Sequence, residues 1–127
     1  MERQLVSSNT PWEALAGYSR AVRVDNQVWV AGTTASDQRG QLHGGDSAYE
    51  QTRYILDKID RALRDCGASL TEVVRTRVYI TRMEDWQEVA RAHGEVFRTI
   101  RPANTLIQVA GLVDGRLVEI EADALVT

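Results

Sequence analysis

Hydrophobic residues recur along the chain with two periods, one typical of strands and one typical of helices. The points where one period replaces the other predict where strands and helices begin and end. Strand-like alternation begins in "YSRAVRV" and "QVWVAGT", and Asp25-Asn26 between them favours a tight hairpin turn. Alternation returns in "VVRTRVYIT" (residues 73–81), "NTLIQVA" and "LVEIEADALV" (residues 117–126). Helical spacing follows the capping pattern "SAYE" up to Cys66, and a second helical stretch covers residues 84–98. The predicted order is β-β-α-β-α-β-β.

Each predicted helix has a single apolar stripe, while the strands mostly have one purely apolar face. The stripe of the second helix consists of Trp86, Val89, Ala90, His93, Val96 and Phe97. One sheet with both helices packed on the same side would bury all of these surfaces. The predicted fold class is therefore α+β, in a single domain of residues 1–127.

The sheet face that the helices leave uncovered carries opposite charges. On the last strand this face holds Glu119, Glu121 and Asp123 together with Leu117 and Leu125. On residues 73–81, strict alternation places Val74, Thr76, Val78 and Ile80 in the core, and on the uncovered face Val73, Arg75, Arg77, Tyr79 and Thr81. A mixed charged and aliphatic face is typical of a subunit interface. We therefore predict assembly, with the acids meeting arginines where sheets of different subunits pack.

Composition limits the function classes. With 43% hydrophobic and 26% charged residues, the chain is typical of soluble globular proteins. No apolar run approaches the roughly 20 residues that cross a bilayer, and the N-terminal stretch lacks the apolar segment of a secretory signal. We therefore expect a cytoplasmic protein without a membrane partner, and the single Cys66 fits that reduced compartment as a structural thiol. A net charge of −3 argues against a nucleic-acid partner.

The C-terminal stretch "RPANTLIQVAGLVDGRLVEIEADALV" resembles the signature of the Rid family, the reactive intermediate deaminases that are also called YjgF-like proteins. That signature is Pro-Ala-Arg-(Ser/Thr), a short strand, and then a Val/Ile-Glu-Ile-Glu-Ala strand. Upstream, "GYSRAV" is similar to the family's Gly-Pro-Tyr segment and "VWVAGTT" to its Ser-Gly-Gln strand end. "CGASLTEVVRTRVYITRMEDW" is similar to its helix-to-strand core, so the resemblance covers nearly the whole chain in the right order.

The resemblance implies a chorismate-mutase-like fold and a homotrimer whose sheets face a central barrel, with three clefts between neighbouring subunits. In the family such clefts hydrolyse imines and enamines, which arise when pyridoxal-phosphate enzymes dehydrate amino acids, to 2-oxo acids and ammonia. The family uses no metal or cofactor, and this sequence has no HxxxH, CxxC, Walker or GxGxxG motif. The expected partners are therefore two further copies of the chain and a small imine or enamine.

Carried over residue by residue, the resemblance assigns catalysis to Glu119 and Tyr18. Glu119 matches the glutamate that holds the attacking water, and a carboxylate can accept or relay that water's proton. Tyr18 matches the cleft tyrosine, although its residue type alone also fits an interface aromatic with a satisfied hydroxyl. His93 likewise also fits a hydrogen-bonded core histidine. The residues expected to bind substrate are Gly32, Thr33, Asn104, Leu106, Trp12 and His93.

Asn104 departs from the family pattern, because the catalytic subgroup has an arginine there that binds the substrate carboxylate. An amide carries no charge, and losing a charged bidentate contact costs about 1.5–3 kcal/mol. Either the substrate lacks a carboxylate at that end or another arginine binds it, and the candidates are Arg20, Arg77, Arg91 and Arg101. The sequence thus predicts an imine or enamine hydrolase with an altered substrate range. A non-catalytic trimeric ligand-binding or chaperone-like protein and an endoribonuclease remain as alternatives.

Overall fold

A computed structural model describes residues 2–127 of the chain. In this part of the chain the strands are β1 (Arg3–Val6), β2 (Ala21–Val24), β3 (Gln27–Thr34), β4 (Val73–Ile80), β5 (Ala103–Gln108) and β6 (Val118–Leu125). The helices are α1 (Pro11–Ala16), α2 (Ala48–Asp65) and α3 (Trp86–Phe97), with short 3₁₀ turns at Leu70–Glu72, Met83–Asp85 and Val113–Gly115. None of the helices formed by residues 2–127 is long and apolar enough to cross a lipid bilayer.

All six strands belong to one sheet, in the order β1-β2-β3-β6-β4-β5. Neighbouring strands are antiparallel except β4 and β5, which run parallel because α3 carries the chain back between them. Helix α2 packs on β3, β6 and α3, and the buried side chains of α3 join the same core. The α+β class predicted from the sequence is confirmed.

Helix α2 supplies the largest continuous part of that core. The Ser47 hydroxyl accepts the backbone N–H of Glu50 at 3.1 Å and so caps the first turn. Ile55, Ile59 and Leu63 follow at helical spacing and are fully buried. Each side chain of this kind contributes about 1.5–3 kcal/mol on burial, so this stripe holds the helix firmly on the sheet.

The first strand and the first helix were not predicted from the sequence. β1 buries only Val6 of its four residues, because it is the edge strand of the sheet, and an alternating pattern is therefore absent from it. α1 has only six residues, too few for a recognisable stripe. Its boundaries do carry sequence signals: Thr10 with Glu13 is a capping box, and Gly17 ends the helix at a φ of 76°.

Strict alternation fails at the start of β4. The register against β6 shifts between Val73 and Arg75, which shows one extra residue of β4 in a bulge. The bulge reverses the faces of the first two residues, so Val73 is buried and Val74 is 51% exposed, opposite to the prediction. Leu117 was predicted on the uncovered face but is buried, because it precedes the first residue of β6.

The predicted stripe of the second helix also needs correction. Residues 83–85 form a 3₁₀ turn, so α3 begins at Trp86 rather than at residue 84. Helical side chains lean toward the N-terminus, and the indole of Trp86 therefore projects past the first turn and is 46% exposed. Ala90 is exposed as well, and the buried stripe runs instead through Val89, Ala92 and Phe97.

Candidate functional site

A cavity of about 220 Å³ lies where β3 and β6 meet the segment that contains α1. It is lined by Thr10, Trp12, Tyr18, Arg20, Gly32, Thr34, Lys58, Val113 and Glu119. The fold thus brings together four of the predicted site residues, Trp12, Tyr18, Gly32 and Glu119, from separate parts of the sequence. Such a volume suits a small metabolite, since the pockets that bind drug-sized ligands measure roughly 300–1,000 Å³. Residues 2–127 contain no cluster of three or more His, Cys, Asp or Glu side chains that could hold a metal ion.

A β-bulge in β3 sets the position of Gly32 beside Glu119. The register between β3 and β6 shifts between Val30 and Thr33, so one extra residue of β3 lies outside the regular ladder. A Cβ atom at Gly32 would lie only 2.9 Å from the Glu119 Oε2 atom. Because glycine has no Cβ atom, the Glu119 carboxylate can occupy this space. Bulges often redirect side chains next to functional sites, and this one does so at the cavity.

Glu119 lies on β6, paired with Thr34 of β3 on one side and with Tyr79 of β4 on the other. Its side chain is half-buried. Burial raises the pKa of this carboxyl group and the neighbouring Glu121 carboxylate raises it further, whereas the Arg20 charge acts in the opposite direction. A carboxyl group with a raised pKa accepts and returns a proton more readily near neutral pH than an ordinary one. The arrangement therefore suits proton transfer.

Glu13 joins the N-terminal loop to the wall of the cavity. Its buried carboxylate accepts hydrogen bonds from the hydroxyls of Ser7 at 3.0 Å, Ser8 at 2.5 Å and Thr10 at 2.8 Å. The Oε2 atom also lies 3.5 Å from Nη2 of Arg20. Burial by itself raises the pKa of Glu13, but the hydrogen bonds from Ser8 and Thr10 and the Arg20 charge outweigh it and lower the pKa to about 2. The ionised carboxylate holds α1 and Arg20 in fixed positions.

The guanidinium of Arg20 is buried, and each of its N–H groups has an acceptor. The five acceptors are Ser8 Oγ, Gly32 O, Thr33 Oγ1, Glu13 Oε2 and the phenol oxygen of Tyr18. Because a guanidinium has five donors in all, Arg20 has none left for a ligand. The bond to the tyrosine oxygen measures 3.3 Å and leaves the hydroxyl hydrogen of Tyr18 free to be donated. Arg20 thus positions Tyr18 and Gly32.

Lys58 of α2 is the second cation at the cavity and the only lysine of the chain. Its ammonium group donates to the backbone carbonyls of Ser36 at 2.7 Å and Thr34 at 3.4 Å. Burial and the nearby Arg20 charge lower the pKa of Lys58 to about 8. Lys58 also borders a larger cavity of about 550 Å³, which is lined by the N-terminal loop, the loop of residues 36–41 and α2. Lys58 was not among the site residues predicted from the sequence.

Four predicted substrate-binding residues do not line this cavity within one described chain. Thr33 is fully buried beneath it and accepts a hydrogen bond from Arg20. Asn104 is the second residue of β5. Its amide donates to the Thr76 hydroxyl oxygen at 2.9 Å, and that oxygen lies 2.9 Å from His93 Nε2. Burial lowers the pKa of His93, and a neutral ring can accept the threonine's hydrogen. Leu106 packs against the core.

The other three candidate arginines lie away from the cavity. Arg77 forms ion pairs with Glu121 at 3.5 Å and Asp123 at 3.3 Å across neighbouring strands of the same chain. The expectation that these acids meet arginines of another subunit is therefore wrong for Arg77, because Arg77 and Glu121 are direct register partners. Arg91 pairs with acids on its own helix, and Arg101 is exposed just before β5.

Comparison with known proteins identifies the family. The family model described as endoribonuclease L-PSP matches residues 8–126. An uncharacterized protein of Streptomyces coelicolor is 40% identical over 94% of this chain and 89% of its own length. Human 2-iminobutanoate/2-iminopropanoate deaminase is 32% identical over 97% of this chain and 90% of its own.

A solved structure agrees with these matches. The crystal structure of a Mycobacterium tuberculosis protein, described as a member of the YjgF/YER057c/UK114 family, is similar with a TM-score of 0.89 and 46% sequence identity. The match covers 98% of this chain and 100% of that one. The resemblance found in the sequence is confirmed, and the chain belongs to the YjgF/YER057c/UK114 family, the Rid proteins.

Proposed function

We propose that this cavity hydrolyses a small reactive imine or enamine to a carbonyl compound and ammonia. The observation that carries the proposal is the half-buried Glu119 carboxylate, which lies against Gly32 in a cavity that Tyr18 also lines. The human relative named 2-iminobutanoate/2-iminopropanoate deaminase supports the same reaction class. In this proposal Glu119 and Tyr18 are the catalytic residues.

The two residues divide the work of the reaction. In the first step, a water oxygen attacks the carbon of a protonated imine while Glu119 takes one water proton, which gives a carbinolamine. In the second step, the protonated Glu119 returns that proton to the nitrogen, and the C–N bond then breaks to release ammonia while the ionised Glu119 takes the hydroxyl proton as the carbonyl forms. Ammonia takes up this last proton and leaves as ammonium. Proton transfers of this kind by a positioned group typically contribute about 10²–10⁴-fold. Tyr18 donates its hydroxyl hydrogen to the water or to the oxygen that becomes the carbonyl, and so orients it.

The proposal includes a homotrimer, which the uncovered face of the sheet supports. Trp29, Ile107 and Leu125 expose 43%, 45% and 41% of their surface on this face, beside the Arg77 ion pairs. Large apolar side chains on a face that no helix covers are typical of an interface. Sedimentation velocity at micromolar concentration should give about three times the 14.2 kDa chain mass, and Ile107→Lys should lower it by placing a charge among the exposed apolar side chains of this face. A monomer with an intact fold would contradict the assembly.

The catalytic assignment is tested by Glu119→Gln. With imines generated in place by an amino-acid oxidase, the wild-type protein should accelerate ammonia release, and the variant should lose about 10²–10⁴-fold in turnover while it still assembles. Glu88→Gln, which changes an exposed carboxylate of α3 outside the cavity lining, should leave turnover unchanged. Because burial raises the pKa of Glu119 above its ordinary 4.5, turnover should fall with acid already above that pH. Full activity of Glu119→Gln would make the glutamate structural.

A further inference from the structure

Two cations line the cavity, and the fold neutralises only one of them. Arg20 has an acceptor for all five N–H groups and an ion pair with Glu13. The Lys58 ammonium has three N–H groups and donates to two backbone carbonyls. Within residues 2–127 no carboxylate lies within ion-pair distance of its nitrogen, and one donor remains without an acceptor. A partly buried cation without a counter-charge is costly to the folded protein.

The charged groups around Lys58 do not change this balance. The Arg20 charge lowers the pKa of Lys58, while the Glu13 and Asp37 charges raise it without coming within ion-pair distance. Glu13 is already paired with Arg20, and Asp37 accepts hydrogen bonds from its own loop and from His43. Neither acid is therefore available as a close partner. A ligand with a negative charge would supply the missing counter-charge and take the remaining donor.

We propose that Lys58 binds the carboxylate of the substrate and so takes the role of the arginine that the family has at the position of Asn104. The inference rests on the proposed function for the chemistry at the other end of the cavity. Because Glu119 repels a carboxylate, the anionic end of the ligand faces Lys58. The imine carbon then lies on the side of Glu119. The substrate class is then an imine or enamine that carries a carboxylate, and none of the four candidate arginines is needed to hold it.

Binding by Lys58 has a pH signature. The pKa of Lys58 is about 8 in the free protein, below the ordinary value of 10.5. A bound carboxylate stabilises the charged form, so the pKa rises on binding and the protein takes up protons near pH 8. Affinity for the anion should fall above pH 8 as the free ammonium loses its proton. Arginine at this position keeps its charge and should remove that dependence.

The experiment uses two stable analogues in which oxygen replaces the imine nitrogen: 2-oxobutanoate, which has a carboxylate, and 2-oxobutanamide, which has none. Calorimetric titration compares the wild-type protein with Lys58→Met and Lys58→Arg, each at pH 7 and pH 9.5 and in buffers of different ionisation enthalpy. Lys58→Met should bind 2-oxobutanoate about 10- to 150-fold more weakly and 2-oxobutanamide equally well. Lys58→Arg should retain binding, with no proton uptake. Melting curves confirm that each variant is folded.

Several results would overturn the assignment. They are equal binding of 2-oxobutanoate by the wild-type protein and Lys58→Met, an equal loss for both analogues, or a wild-type affinity that stays constant up to pH 9.5. If Lys58→Met does not fold, the contrast between wild-type protein and Lys58→Arg above pH 8 decides the question. The titration needs no turnover. A wild-type protein that binds as expected but does not accelerate ammonia release would contradict only the proposed function.

Discussion

Replacing Glu13 by glutamine should destabilise the protein in a way that depends on pH. The variant keeps the size of the side chain and loses its charge, so hydroxyl contacts can partly re-form while Arg20 loses its ion-pair partner. The pKa of Glu13 is about 2 in the folded protein against an ordinary 4.5. This difference of 2.5 units, at 1.36 kcal/mol per unit, gives about 3 kcal/mol of stability at neutral pH.

The direction of this pH dependence follows from the lowered pKa of Glu13. Between pH 4.5 and pH 2 the unfolded chain binds a proton at Glu13 that the folded protein does not, so acid favours unfolding. The contribution is fully present above pH 4.5 and disappears as the pH falls toward 2. Glu13→Gln should therefore lower the free energy of unfolding by about 3 kcal/mol at pH 7, and the difference from wild type should shrink steadily below pH 4.5.

Urea unfolding at pH 7, 5, 4 and 3 measures this difference, at one fixed protomer concentration because assembly affects apparent stability. Glu88→Gln is the matched control, since Glu88 pairs with Arg91 at 2.6 Å but is 55% exposed. Exposed pairs contribute about 0–1 kcal/mol. A loss of less than 1 kcal/mol for Glu13→Gln, or a loss of the same size at every pH, would refute the account of the buried carboxylate.

Two further substitutions test the cavity. Gly32→Ala should lower turnover by about 10²-fold with little change in melting temperature, because the new Cβ displaces the Glu119 carboxylate. Gly111→Ala is the control, since a Cβ added at Gly111 would have no atom within 4 Å. Equal turnover of the two variants would argue against the close approach of Gly32 and Glu119. In the proposed trimer, Asn104→Arg should lower the KM for 2-iminobutanoate by about 10- to 150-fold in a Lys58→Met background and clearly less in wild type. An equal gain in both backgrounds would show that the two cations do not serve one carboxylate.

The fold was predictable where the chain has long amphipathic stretches. α2 and β6 each bury one complete face, so their periods are visible in the sequence and their packing follows. Short elements gave no such signal: β1 buries one residue, and α1 depends on its caps. Bulges are the second source of error, because a single inserted residue in β4 changes which face Val73 and Val74 occupy, and periodicity carries no mark of it.

The site was predictable only in part, for a different reason. Glu119, Tyr18 and Gly32 could be identified because they occupy motif positions of a recognisable family. Lys58 lies beside the buried stripe of α2, where a charged residue is ordinary, and only the folded structure shows that this residue borders the cavity. Arg20 was named as a free anchor, but its donors are used by acceptors that come from distant parts of the sequence. Whether the donors of a side chain are already used by the protein depends on the tertiary structure, and the sequence alone does not show it.

The single lysine also makes this chain suited to proteolysis as a probe. An endoprotease specific for lysine has one target in these 127 residues, the peptide bond between Lys58 and Ile59. That bond lies inside α2, and the Ile59 side chain is fully buried, so cleavage requires the helix to open. With slow cleavage, the digestion rate measures the free energy of that opening. A ligand bound at Lys58 should slow digestion in proportion to its occupancy, which converts cleavage at one bond into a binding curve.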